Sequence, residues 1–303
     1  MTRAFVTGIG GQDGSYLADR LLADGLEVHA LSFDPDGPPE HCPADVMLHR
    51  GDLTDLAAVR ALLLDIDPHE VYNLAAISSV AQSWQEPDLT ARVNGLGAAG
   101  LLESALLVQE HHGHPVAFVQ ASSAEIFGQP AVAPQDEATP VAPVSPYGAA
   151  KAFAHLAVGV YRRRELHAVS AILYNHESPR RPERFVTRRI TATVAAIARG
   201  RADRLVLGNL DARRDWGWAP DYVVATGEGH SVRDFAAAAF ARAGITDWGP
   251  LLVSDPALFR PADATDLTGD ASKARRDLGW SPTVTFEEVV GRMVDHDLEL
   301  LDN

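Results

Sequence analysis

The sequence predicts an α/β fold: a doubly wound parallel sheet with a smaller C-terminal region. Three observations predict it: strand segments that are apolar throughout rather than alternating, Leu/Ala-rich helical stretches between them, and a glycine-rich turn after the first strand. Arg3–Thr7 is a short apolar run ending at Gly8, and Ser15–Ala23 follows with helical spacing, so the chain opens strand, tight turn, helix. Leu26–Leu31, Val46–Arg50, Glu70–Asn73, Val116–Gln120 and Val169–Tyr174 are the next strand candidates, with helical stretches such as Leu56–Leu64 and Thr90–Gln109 between them. Beyond Ser178 the texture becomes Arg-rich and Gly/Asn/Asp-rich with shorter elements, which divides the chain into residues 1–177 and a mainly ligand-binding region 178–303, with some interleaving expected. Two helix starts are legible there, because Ser231 with Asp234 and Thr285 with Glu288 have capping-box spacing.

Composition narrows the class. The 303 residues are 46% apolar and 22% charged, enough for one large core or two smaller ones. The N-terminus runs straight into a strand without the basic start and apolar stretch of a signal peptide, and no run is long enough to span a bilayer, so a cytoplasmic, membrane-free protein is expected. A single cysteine, Cys42, supports neither a disulfide scaffold nor a zinc site, and no metal is expected. A formal net charge of −15 argues against nucleic acid as a partner, since a negative field repels polyanions. It does not exclude a small anion, because arginines gather in Ser178–Arg189 and Ala212–Trp216.

Thr7-Gly8-Ile-Gly-Gly11-Gln12-Asp13-Gly14 spaces glycines three apart between the first strand and first helix, where bare backbone lets a pyrophosphate approach a helix N-terminus. With Asp52-Leu53 after the third strand and Leu74-Ala75-Ala76-Ile-Ser78 after the fourth, the pattern is that of a Rossmann-like site for a nicotinamide dinucleotide, NAD or NADP. An acid ending the second strand would favour NAD and a nearby arginine NADP; here the stretch is Leu31-Ser32-Phe33-Asp34 with no arginine, and Asp34 is either a ribose ligand or a turn residue before Pro35.

Tyr147 and Lys151 lie four apart in a helical segment, so they share one face, and the lysine charge favours the tyrosinate as a proton acceptor. Ser123 and Glu125 precede them in Gln120-Ala-Ser-Ser123-Ala-Glu125. A carboxylate beside Ser, Tyr and Lys supplies a second base, which redox chemistry at one carbon does not need but removal of an acidic proton beside a new ketone does.

The ordered set Thr-Gly-x-x-Gly-x-x-Gly, Asn-Leu-Ala-Ala, Ser-Ser-Ala-Glu and Tyr-Gly-Ala-Ala-Lys resembles the extended short-chain dehydrogenase/reductase superfamily. Asn175-His-Glu-Ser-Pro-Arg-Arg181, Phe185-Val-Thr-Arg188, Leu207–Gly217 and Phe259-Arg-Pro261 look more narrowly like the GDP-mannose 4,6-dehydratases, a similarity running from Ala4 to about Asp295. The resemblance implies conversion of GDP-mannose to GDP-4-keto-6-deoxy-mannose, with Ser123, Glu125, Tyr147 and Lys151 catalytic. It further implies that His176 and Arg181 contact the cofactor, and that Asn175, Arg188, Asn209, Arg214, Arg260 and Asp263 hold the substrate nucleotide. A homo-oligomer, dimer or tetramer, is implied as well.

Departures from the family pattern are Ser123 for Thr, Ala124 for Ser, Phe33 and Asp34 for an arginine pair, Leu89 for Tyr and Pro182 for Gly. Asp221-Tyr-Val223 also abuts Val224-Ala-Thr-Gly227 where the family has a helix of roughly two dozen residues, either through residues absent from the numbered sequence or through a natural deletion. Another nucleotide-sugar epimerase or reductase, and a catalytically silent dinucleotide-binding regulator, remain the competing readings, the last motivated by Ala124 and the altered cofactor loop.

Overall fold

The computed structural model describes residues 1–33, 37–221, 224–259 and 265–302. These form two compact units, Met1–Ile126 with Pro143–Ile172, and Phe127–Ala142 with Leu173–Asn303. The chain thus leaves the first unit at Phe127, returns at Pro143 and leaves again at Leu173.

The first unit is a six-stranded sheet in the order β3-β2-β1-β4-β5-β6, every neighbouring pair parallel. Its strands are β1 (Arg3–Thr7), β2 (Glu27–Ser32), β3 (Met47–Arg50), β4 (Glu70–Asn73), β5 (Ala117–Ala121) and β6 (His167–Ala171). β1, with its four residues after Arg3 buried, is central and apolar on both faces. One face packs with α1 (Gln12–Ala23) through Ala4, Val6, Ala18, Leu21 and Val28. The other packs Phe5, Val71 and Phe118 with α2 (Leu56–Ile66), through Val59 and Leu63. Burying each of the Val, Leu and Phe side chains stabilises the unit by about 1.5–3 kcal/mol.

The strand expected over Val169–Tyr174 lies instead at His167–Ala171, because pairing with β5 sets Ala117 opposite His167 and Ala121 opposite Ala171. The helix expected over Thr90–Gln109 also differs. α3 (Val80–Gln85) and α4 (Pro87–Thr90) lead into a π-helical stretch, Ala91–Gly97, before α5 (Ala98–His112). Asn94, in that stretch, hydrogen-bonds both the N–H and the C=O of Ile77, at 2.8 and 3.0 Å, and so holds the backbone that follows β4. π-helical turns of this kind concentrate at functional sites. α6 (Pro146–Arg162) carries the Tyr/Lys pair; Ser145 caps it by accepting the Gly148 N–H at 3.0 Å, and Pro146 stands where no amide hydrogen is needed.

The second unit holds its own core, built from Trp216, Phe235, Phe240, Val289, Met293 and their neighbours. β9 (Arg213–Trp218) is its spine, pairing with β7 (Asn175–Glu177), β10 (Gly229–Ser231) and β12 (Asp266–Leu267), while β8 (Leu205–Leu207) pairs with β11 (Leu252–Ser254). α7 (Val186–Ala198), α8 (Val232–Arg242) and α10 (Phe286–Asp302) pack around that core, and α9 is Ser272–Leu278. Both expected helix starts form: Ser231 and Asp234 satisfy each other's backbone amides at 3.0 and 2.8 Å, and Thr285 and Glu288 do so at 3.3 and 2.9 Å. Val223, at the junction where family residues are missing, lies outside the described residues, as does Tyr222.

Candidate active site

At the carboxyl end of β1 the glycines are fixed by space. Gly8 has φ +77°, and a Cβ there would stand 2.7 Å from the Ala75 nitrogen, so the turn lies directly on the Leu74-Ala75 backbone. A Cβ on Gly14 would stand 2.2 Å from the Gly8 carbonyl oxygen. Gly11, whose N–H donates to that oxygen at 2.9 Å, caps α1 with no side chain over the helix N-terminus. This bare cradle, with Gln12 and Asp13 in the first turn, suits the pyrophosphate of a dinucleotide. Asp52 accepts the Thr54 N–H at 2.8 Å while Leu53 is buried, and Ala76 and Ser78 flank the Ile77 backbone that Asn94 holds.

A buried chain of amides ties this turn to the lysine. Thr7 donates its hydroxyl to Asn73 Oδ1 at 2.7 Å and accepts the Ala75 N–H at 3.2 Å. Asn73 Nδ2 donates to Gln120 Oε1 at 2.8 Å, and Gln120 Nε2 donates to the Ala121 carbonyl at 2.9 Å. The same carbonyl accepts Lys151 Nζ at 3.0 Å. Sequence reasoning missed Gln120; its signal was a lone amide in the otherwise apolar Ala117-Phe-Val-Gln-Ala121.

Lys151 is 3% exposed, and burial depresses its ammonium to about 8, with Asp13 pulling the other way. Its nitrogen lies 5.9 Å from the Tyr147 ring centre, in keeping with their four-residue spacing on α6. The Tyr147 N–H donates to Ser83 Oγ at 3.2 Å, a second contact the sequence did not announce.

Glu125 meets α6 through its backbone. Ser123, 9% exposed, lies two residues past the end of β5 and accepts the Glu125 N–H on its hydroxyl at 3.2 Å, beside a single 3₁₀ turn, Ala124–Phe127. A Cβ on Gly148 would lie 2.6 Å from the Glu125 carbonyl oxygen, so α6 meets the Ser-Ala-Glu turn one residue past Tyr147 at a distance only glycine permits. Behind it, His155 Nδ1 hydrogen-bonds Ser122 at 3.1 Å and Ser170 at 3.0 Å, and burial followed by the Arg162 charge lowers its pKa.

In the second unit, Asn175 opens β7 and His176 Nδ1 hydrogen-bonds the Tyr174 carbonyl at 2.7 Å. Arg181 pairs with buried Glu177 at 3.2 Å and stacks its guanidinium 4.0 Å from the Phe185 ring centre. Arg188 is 5% exposed, ion-paired to Asp297 and donating to the Pro179 carbonyl at 3.3 Å. Arg214, also buried, donates to the Arg213 carbonyl at 2.7 Å, and Asn209 accepts the Asp211 N–H at 3.0 Å. Arg260 and Asp263 lie outside the described residues, as does Asp34. Among the described residues no group of three or more His, Cys, Asp or Glu is arranged for a metal ion, and no helix is long and apolar enough to cross a membrane.

The chain is similar to known proteins along nearly its whole length. A GDP-mannose 4,6 dehydratase family profile matches residues 5–293. GDP-mannose 4,6 dehydratase 2 of Arabidopsis thaliana is 45% identical over 326 residues, covering 98% of this chain and 87% of the relative. The human GDP-mannose 4,6 dehydratase is 40% identical over 343 residues, covering 98% and 92%. Both alignments exceed the 303 residues of this chain, so the relatives carry residues with no counterpart here. Among solved structures, UDP-glucose 4-epimerase of Thermus thermophilus, complexed with NAD, superposes with a TM-score of 0.85 at 30% identity, covering 98% of this chain and 99% of that one. On a match spanning nearly the whole sequence, the chain belongs to the GDP-mannose 4,6-dehydratase family.

Proposed function

We propose that the protein is a hydro-lyase that converts GDP-mannose to GDP-4-keto-6-deoxy-mannose, using a nicotinamide dinucleotide without net redox change. The observation that supports this reading best is the close approach of the Glu125 backbone to α6 at Gly148, one residue past Tyr147, which makes a residue bearing a carboxylate the chain neighbour of the Ser123, Tyr147 and Lys151 set. With its pyrophosphate in the glycine cradle, the dinucleotide would supply hydride acceptance from hexose C4 and return to C6.

The chain's own residues do the rest. Tyr147 takes the proton from O4, and Ser123 hydrogen-bonds that oxygen. Lys151, its amine fixed to the Ala121 carbonyl, stabilises the tyrosinate. Once C4 is a ketone, the C5 proton is acidic and Glu125 removes it; the C6 hydroxyl leaves as water. Ala124, 3% exposed and without a polar side-chain atom, cannot assist that departure, so the proton comes from Glu125 or solvent. The nucleotide is assigned to Asn175, Arg188, Asn209, Arg214, Arg260 and Asp263, and cofactor contacts to His176 and Arg181 in addition to the cradle.

A homo-oligomer, dimer or tetramer, is supported by Phe153, Leu156 and Val160, which are 49%, 59% and 60% exposed at helical spacing along α6. The cytoplasm is the compartment assigned.

The test is mass spectrometry of GDP-mannose incubated with purified protein and NAD or NADP, with GDP-glucose and UDP-glucose in parallel. Loss of one water from GDP-mannose alone supports the proposal. Inversion at C4 without water loss would make it an epimerase, and bound dinucleotide without turnover a silent regulator.

A further inference from the structure

One titratable group of the first unit has no part in the chemistry above, yet it grips the chain between two groups that do. Tyr147, Lys151 and His155 follow one another at four-residue spacing, so they form a row along one face of α6. Each is tied at its own level. The Tyr147 N–H donates to Ser83, Lys151 Nζ donates to the Ala121 carbonyl, and His155 Nδ1 meets the Ser122 hydroxyl.

Ser122, 3% exposed, is the chain link between the carbonyl that holds Lys151 and the residue that carries the Ser123 hydroxyl. Its N–H donates to the Ala171 carbonyl at 2.8 Å, which continues the pairing with β6 one residue past β5. Its side chain is fixed separately: His155 Nδ1 stands 3.1 Å from Ser122 Oγ and 3.0 Å from Ser170 Oγ on β6. One ring nitrogen thus joins α6, β6 and the segment that leaves β5. Burial, and after it the Arg162 charge, lowers the His155 pKa, so the ring is neutral at neutral pH and meets both hydroxyls without burying a charge. The Ser123 hydroxyl is bonded to the Glu125 N–H within its own turn, so its direction follows the peptide that Ser122 fixes.

We propose that His155 is a positioning residue for the reaction: by holding Ser122 against β6 it sets both the Ala121 carbonyl that orients Lys151 and the Ser123 hydroxyl that meets the substrate. This rests on the dehydratase reading above and adds to it a residue that acts only through others. A displacement of about 1 Å in a catalytic group can cost about 10²-fold in rate.

The experiment compares wild type, His155→Leu, His155→Asn and Ser122→Ala in steady-state turnover of GDP-mannose with NAD or NADP, and in amide hydrogen exchange read by mass spectrometry. His155→Leu should lower kcat about 10- to 100-fold with KM within about 3-fold, because orientation is lost and binding is kept. Asparagine sets a polar atom near the place of Nδ1, so His155→Asn should return to within about 3-fold of the wild-type rate. Ser122→Ala should reproduce the kcat loss from the other side of the contact, and it decides the matter if His155→Leu does not fold. The double variant should lose no more than about 3-fold beyond the worse single one, the non-additivity of residues that act as a unit. Exchange over residues 121–125 should quicken about 10-fold in His155→Leu while β1 keeps its protection. Unchanged kcat in folded His155→Leu or in Ser122→Ala, or fully additive losses in the double variant, overturns the assignment of His155 and leaves the dehydratase reading intact. A folded wild-type protein that leaves GDP-mannose unaltered overturns that reading, and unaltered exchange in His155→Leu then overturns the holding of Ser122 as well.

Discussion

In the first unit the buried polar side chains form a relay of neutral groups, whereas in the second they are ion pairs. Thr7, Asn73 and Gln120 pass hydrogen bonds along the carboxyl ends of β1, β4 and β5 until they reach the carbonyl that holds Lys151. In the second unit Arg188 meets Asp297 and Arg181 meets Glu177. Asp215, fully buried, instead gathers the amides of Thr226, Gly227 and Gly269, and burial raises its carboxyl despite those donors. The difference teaches where charge is available for chemistry. The relay holds the lysine ammonium with a carbonyl rather than a carboxylate as its hydrogen-bond partner, while Arg188 and Arg181 of the second unit are each ion-paired to a buried acid.

The largest expected effect tests the first unit's chemistry. Glu125→Gln keeps the turn, whose contact with Gly148 is made by backbone, but removes the base. kcat for water loss should fall about 10²- to 10⁴-fold with GDP-mannose binding retained, as read by mass spectrometry and calorimetry; full turnover would remove Glu125 from its role. Arg188→Met tests the second unit and should cost about 3–5 kcal/mol in urea unfolding, because it leaves Asp297 buried without its partner. The loss should shrink in acid, where Asp297, its carboxyl already raised by burial, can neutralise. A variant of unchanged stability that fails only in nucleotide binding would confine Arg188 to the ligand role proposed for it and remove the structural one.

Gln120→Leu breaks the relay in its middle and should destabilise by about 1–3 kcal/mol by stranding the Asn73 amide. Wild-type stability in that variant would mean the relay is not a structural element.

The smallest effect concerns Lys151. Its proton is lost at about 8 in the folded chain against 10.5 for the ordinary amine, so between those values the unfolded chain binds more protons. Wild-type stability should therefore rise with pH relative to Lys151→Met, by at most about 1.4 kcal/mol per pH unit, and lose that gain below pH 8. Unfolding curves for both proteins at pH 7.0 and 9.5, a window of our choosing below tyrosine ionisation, decide it by order of magnitude; parallel curves would place the Lys151 charge in contact with water.

Much of the first unit was legible because its signals are local. A strand–turn–helix with glycines at fixed spacing, and Tyr147 four residues before Lys151, are geometric statements about neighbouring residues. The strand placed at Val169–Tyr174 was misjudged for the complementary reason, since its apolar run continues past Ala171 and only pairing with β5 ends it there. Asn94 and Gln120 escaped notice because a lone amide in an apolar segment says nothing until its partner, 17 or 47 positions away, is known.

By itself, then, the sequence determined the α/β order, the glycine cradle and the residue types of the proposed catalytic set, since each follows from the spacing of residues near one another in the chain. Tertiary structure alone decided that Gly148 admits the Glu125 turn, that Arg188 is tied to Asp297 and that Arg50 stands beside Ser32. Those facts depend on which elements pack together and in what register, and packing brings together groups that no local spacing relates.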